Sequence, residues 1–164
     1  MRREHRITAE SADRIVVTLP EDGARIVDDR SMPDVNLQYL IAVALIDGTV
    51  SFDASHSYER MKDPAVIAVK QRVELIADRA LVDPAAPRSA RVEVRLRDGQ
   101  TVSRFTRHAP GTKENPLDTA GVNAKAQSLI TPVLGARRTA AIIERIDNLD
   151  RSTSVRDLVA VLRA

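Results

Sequence analysis

Residues 31–48 read Ser31-Met-Pro-Asp-Val-Asn-Leu-Gln-Tyr-Leu-Ile-Ala-Val-Ala-Leu-Ile-Asp-Gly48, which is the pattern of an enclosed helix. Ser31 followed three residues later by Asp34 predicts a capped start, and Asp47-Gly48 predicts a left-handed stop. The residues between are apolar on nearly all sides, which is typical of a helix surrounded by protein. Asn36 and Tyr39 share one face of this helix. Their polar groups need partners, either core groups or a bound ligand.

Composition indicates a globular chain of ordinary domain size. The chain has 164 residues, of which 43% are hydrophobic and 29% charged, enough for a real core. Its net charge is only +2, since 25 basic residues are scattered among 23 acidic ones, and only 2% of residues are aromatic. Neither a basic surface nor a set of stacking rings is evident, so we expect no nucleic-acid partner.

Several classes of site and location are excluded by what the sequence lacks. It has no cysteine, which excludes disulfides, thiolate metal sites and cysteine nucleophiles. No apolar run reaches the roughly 18 residues that span a bilayer, so we expect no membrane association. The first residues lack the apolar segment of a secretory signal. We therefore expect a cytoplasmic protein.

The first two-thirds of the chain predict strands mixed with helices. A β-branched run predicts a strand over residues 13–19, and a short return strand is expected over 24–27. Asp63-Pro64 predicts a capped helix start, and residues 72–77 have strand character.

The clearest hairpin flanks Asp98-Gly99, for which we predict a two-residue type I′ loop. That register places Val92 opposite Phe105 on an apolar face of the sheet, and Glu93 opposite Arg104 on the solvent-exposed face.

Beyond residue 116 the apolar residues recur at helical spacing, with one apolar stripe around Leu129 and a second around Ile142. A last helix is predicted with a cap formed by Ser154 and Asp157. The predicted fold class is α+β: a small antiparallel sheet with packed helices over residues 1–116, then C-terminal helices over 117–164.

The sequence resembles the C-terminal part of MmgE/PrpD proteins, the family of 2-methylcitrate dehydratase and cis-aconitate decarboxylase. The helix that ends in Asp47-Gly48 is the motif that first suggests the resemblance, which covers nearly the whole chain, from about His5 to its end. Further motifs follow in the family's order: His56 with Arg60-Met61-x-Asp63-Pro64, Arg88, Asp98-Gly99, Gly111-Thr-x-x-Asn115-Pro116, and Lys125.

The resemblance implies a two-domain enzyme in which a helical domain packs against an α+β lid, with the active site between them. Such enzymes eliminate water or carbon dioxide from tricarboxylic substrates, or isomerise related acids, by acid–base chemistry. No cofactor is expected. The chain resembles the lid and the helices that return to the helical domain. The expected partners are therefore a carboxylic-acid substrate and either a helical-half polypeptide or a second copy.

The resemblance also nominates site residues. It places Tyr39 at the position of an active-site tyrosine, although a core tyrosine bonded to a backbone carbonyl is the alternative. His56 suits proton transfer, or is a surface or capping histidine. Asn36 is a substrate-binding candidate. Arg60 is another because guanidinium binds carboxylate, although Asp53 or Asp63 could pair with it instead.

His5 and His108 are weaker candidates, and no motif predicts a metal site.

Three functions remain open from the sequence. The chain is the C-terminal portion of an MmgE/PrpD-type lyase that is inactive without the helical half, or a small enzyme built at a homodimer interface. The third alternative is a non-catalytic binding or regulatory module that retains the lid fold.

Overall fold

A computed structural model describes residues 1–151 and 154–162, with the side chain of Asp157 left out. The predicted cap by Asp157 therefore lies outside the described residues. The chain divides into two compact units, Met1–Asn115 and Pro116–Ala164. The first unit combines strands and helices, and the described part of the second is helical. This confirms the α+β class.

In the first unit, the described residues form a four-stranded sheet in the order β2-β1-β3-β4. The strands are β1 (Ala12–Pro20), β2 (Val73–Asp78), β3 (Ala90–Leu96) and β4 (Thr101–Thr106). β1 pairs with β2 in parallel and with β3 antiparallel. The sheet is therefore mixed: β3 pairs antiparallel with β1 and β4, as expected of an antiparallel sheet, whereas the parallel pairing of β1 with β2 was not predicted. A parallel pair requires a crossover, which the helices between β1 and β2 provide.

That crossover contains five helices. They are α1 (Glu21–Val27), α2 (Leu37–Asp47), α3 (Phe52–His56), α4 (Tyr58–Met61) and α5 (Pro64–Lys70). The return strand expected over 24–27 is instead part of α1. Acidic residues in the first turn, Glu21 and Asp22, favour a helix start because they oppose the positive end of its dipole.

The helix α2 ends as predicted but begins later. Gly48 closes it with φ 82°, a conformation that glycine adopts without strain. A short 3₁₀ turn, Pro33–Val35, precedes it, and the cap is Asn36 rather than Ser31. The Asn36 side chain accepts from the Tyr39 backbone N–H. Asn36 is as good a cap as serine and stands after the proline turn, so the helix starts there.

The core of the first unit joins the sheet to α2 and α5. Buried side chains from each element form one cluster, which includes Ile15, Val17, Tyr39, Val43, Val66, Val69, Val73, Val94 and Leu96. α2 is apolar on most sides because side chains of the sheet and of α5 pack around it in this cluster.

The hairpin of β3 and β4 has a register one residue away from the predicted one. Val92 pairs with Arg104, and Arg91 pairs with Phe105. Gly99 is the last residue of the turn, because its backbone N–H donates to Leu96 O, and its φ is 90°. A three-residue loop with a left-handed glycine fits this geometry better than a two-residue type I′ loop. Phe105 consequently lies on the exposed face.

The described part of the second unit contains α6 (Thr119–Asp147), a short 3₁₀ turn (Leu149–Arg151) and α7 (Val155–Leu162). α6 is broken at Gly135, where φ is 76° and ψ 159°. Its two halves correspond to the two apolar stripes in the sequence.

Candidate functional site

The start of α2 is fixed by a polar network. Asn36 is fully buried. Its Oδ1 accepts from Tyr39 N at 2.8 Å, and its Nδ2 donates to Asp29 Oδ1 at 3.1 Å and to Arg30 O at 2.5 Å. Hydrogen bonds from Lys70 and Asn36 lower the pKa of Asp29. Asn36 thus uses its polar atoms within the protein, holding the loop before α2.

Tyr39 is fully buried in the core. Its hydroxyl donates to the backbone carbonyl of Ala54 at 2.5 Å. Burial raises the pKa of the hydroxyl, with Arg60 opposing the shift and Asp47 adding to it. This is the geometry of the core alternative that the sequence left open. It also ties α2 to α3, which carries His56.

His56 lies exposed at the end of α3. Its Nδ1 is 2.8 Å from Phe52 O and 3.0 Å from Ser55 Oγ, and its ring stacks on Phe52 with centroids 4.2 Å apart. A carbonyl can only accept, so the contact with Phe52 O favours a proton on Nδ1. The neutral ring then carries its lone pair on Nε2. No polar atom of the described residues pairs with Nε2, so this nitrogen is accessible while Nδ1 holds the ring in place.

Arg60 makes two ion pairs. One Nη group lies 2.6 Å from Asp47 Oδ1, and the other 2.5 Å from Asp63 Oδ2. Asp63 is one of the two acids expected from the sequence, whereas Asp53 is replaced by Asp47. The pairs connect α4 to the end of α2 and to the cap of α5. A substrate carboxylate would have to compete with these acids for the guanidinium.

These contacts join the four predicted site residues through α2. Asn36 caps the helix, Tyr39 bonds to α3, and Arg60 pairs with Asp47 at the last residue of α2. Among these contacts, the hydrogen bond from Tyr39 to Ala54 is the one that connects α2 to α3, the helix that ends with His56.

The family model described as the MmgE/PrpD C-terminal domain matches residues 1–151. The chain belongs to the MmgE/PrpD family. This confirms the resemblance inferred from the ordered motifs. A comparison with curated proteins found no match.

The contacts recorded for the other two histidines of this MmgE/PrpD domain are not with the candidate site residues. His5 lies 3.8 Å from a Glu4 carboxylate oxygen, and the His108 carbonyl accepts from Asn115. Within residues 1–151 and 154–162, no three His, Cys, Asp or Glu side chains are grouped so as to hold a metal ion. In the same ranges, no helix has the length and apolar character to cross a bilayer.

One feature of the MmgE/PrpD domain was not predicted from the sequence. Arg2, Arg72 and Arg97 line a single cavity. They are too far apart in the chain for any local motif to group them, so only the folded structure brings them together.

Proposed function

We propose that the chain is the C-terminal domain of an MmgE/PrpD-type lyase that acts on tricarboxylic or related carboxylic acids. The family match over residues 1–151 carries this proposal. The reaction would be dehydration, decarboxylation or isomerisation, each of which needs a base beside a carbon acid and an acid at the leaving group.

His56 is the catalytic residue that we assign to this domain. Its exposed ring and its Nδ1 contact with a carbonyl support Nε2 as a base. We assign Tyr39 as a positioning residue rather than a catalytic one, because its hydroxyl donates to Ala54 O in the core. Asn36 and Arg60 would act in the same way, through the start and end of α2.

A helical-half polypeptide would complete the site. Large apolar side chains stand exposed on the second unit, including Val122, Leu129, Val133, Ile146 and Val155. Surfaces of this kind are typical of interaction sites. A second copy of the chain is the other partner that could cover them.

The test is turnover with the helical half supplied. The full chain is mixed with a family helical-half polypeptide and assayed on citrate-like acids by the ultraviolet absorbance of the unsaturated product. We expect His56→Gln to lower kcat by about a hundredfold or more, the usual contribution of a general base. His108→Gln is the matched control and should leave kcat unchanged. Equal activity of the two variants would exclude His56 as the base.

A binding or regulatory module is the second candidate. The enclosed Tyr39 hydroxyl and the doubly paired Arg60 favour it, since neither group is free for substrate. This alternative predicts ligand or partner binding without turnover, even when the helical half is present.

A further inference from the structure

A cavity of about 660 Å³ lies at the opposite end of α2 from Asn36. Its lining includes Arg2, Arg72, Arg97 and Glu10 with apolar side chains of α5 such as Ala68 and Val69. None of the candidate site residues Tyr39, His56 or Arg60 contributes to it. It is therefore separate from the candidate site residues, and it has its own set of cationic groups.

Backbone carbonyls hold two of these arginines by Nε alone. Arg2 Nε donates to Leu45 O at 3.3 Å, and Arg97 Nε donates to Glu10 O at 2.8 Å. Each bond fixes the side chain but leaves both Nη groups without a partner among the described residues. Those groups form the planar fork that binds carboxylate or phosphate.

Arg72 is held more firmly. Its Nε donates to Ala68 O, and its Nη1 donates to Ala9 O at 2.8 Å and Ala12 O at 2.5 Å. Nη2 has no partner in the part of the chain that the structure describes. Arg72 therefore anchors the loop before β1 and still offers one donor group.

The charge of the cavity is unbalanced. None of the ion pairs between described residues includes Arg2, Arg72 or Arg97. Glu10 is the lining carboxylate, and hydrogen bonds from Thr8 and the backbone, with the charge of Arg72, lower its pKa. Among the described lining residues, three guanidinium groups thus face one ionised carboxylate, which leaves an excess of positive charge for an anion.

We propose that this cavity binds a small polycarboxylate through Arg2, Arg72 and Arg97. Arginine forks recognise carboxylate and phosphate alike. The apolar part of the lining, from Ala65, Ala68, Val69 and Ile46, suits a short hydrocarbon chain that carries the carboxylates. The site goes beyond the proposed lyase function and does not depend on it.

Isothermal titration of the full chain with tricarballylate tests the proposal, with inorganic phosphate as the second probe. Arg97→Gln removes an exposed guanidinium group whose only hydrogen bond to the described residues is to the Glu10 carbonyl. Arg3→Gln is the matched control, since Arg3 is exposed, carries the same charge and does not line the cavity. Thermal unfolding of each variant verifies that the fold is retained.

We expect Arg97→Gln to weaken tricarballylate binding about tenfold, the effect of losing one charge-assisted hydrogen bond, and Arg3→Gln to leave it nearly unchanged. Glu10→Gln should strengthen binding, because it removes the repelling carboxylate. Equal weakening by both arginine variants, or no binding of tricarballylate, would overturn the proposal. Binding of phosphate alone would overturn the polycarboxylate assignment. Turnover is not measured here, so failure of this site is distinguishable from failure of the lyase proposal.

Discussion

Among the described residues, the hydroxyl of Tyr39 makes one hydrogen bond, to Ala54 O in the core. Tyr39→Phe should therefore destabilise the fold by about 1 kcal/mol at neutral pH. Because burial raises the pKa of the hydroxyl, the folded state holds that proton more tightly than the unfolded state. Its contribution to stability is complete below the ordinary tyrosine pKa of about 10 and is lost as pH rises through the raised value.

Urea unfolding at neutral and alkaline pH measures both effects. Tyr39→Phe should lose stability less steeply than the original chain at alkaline pH. Tyr58→Phe is the control because Tyr58 is 55% exposed, and it should change stability by less than about 0.5 kcal/mol. Equal effects of the two substitutions would mean that the Tyr39 hydroxyl is not a structural group.

At the scale of elements, two glycines with open space around them should respond oppositely to alanine. A Cβ at Gly99 or at Gly23 would meet nothing within 4 Å, so backbone conformation alone decides the effect. Gly99 has φ 90° in the hairpin loop, and Gly99→Ala should cost about 1–2 kcal/mol. Gly23 lies within α1, where Gly23→Ala should stabilise by about 0.5–1 kcal/mol. Thermal unfolding of both variants checks the signs, and two changes of the same sign would contradict the hairpin or the helix.

At the scale of the whole molecule, the first unit should fold by itself. Its buried cluster is drawn from residues between Ile7 and Leu96, all within Met1–Asn115. A chain ending at Asn115 should therefore unfold cooperatively in denaturant, with the amides of β1 and β3 protected from hydrogen exchange. A non-cooperative transition, or rapid exchange along both strands, would show that the first unit needs the rest of the chain.

The sequence by itself determined features whose cause lies within a few residues. The Asp63-Pro64 helix start, the Gly48 stop and the apolar run of α2 depend on local hydrogen bonds and side-chain type. The ordered motifs were enough to predict the family. Only the tertiary structure decided the parallel pairing of β1 with β2, the one-residue shift of the hairpin register, the enclosure of Tyr39 and the grouping of Arg2, Arg72 and Arg97. These depend on packing between segments far apart in the chain, where several arrangements satisfy the same local pattern and burial of the common core selects one.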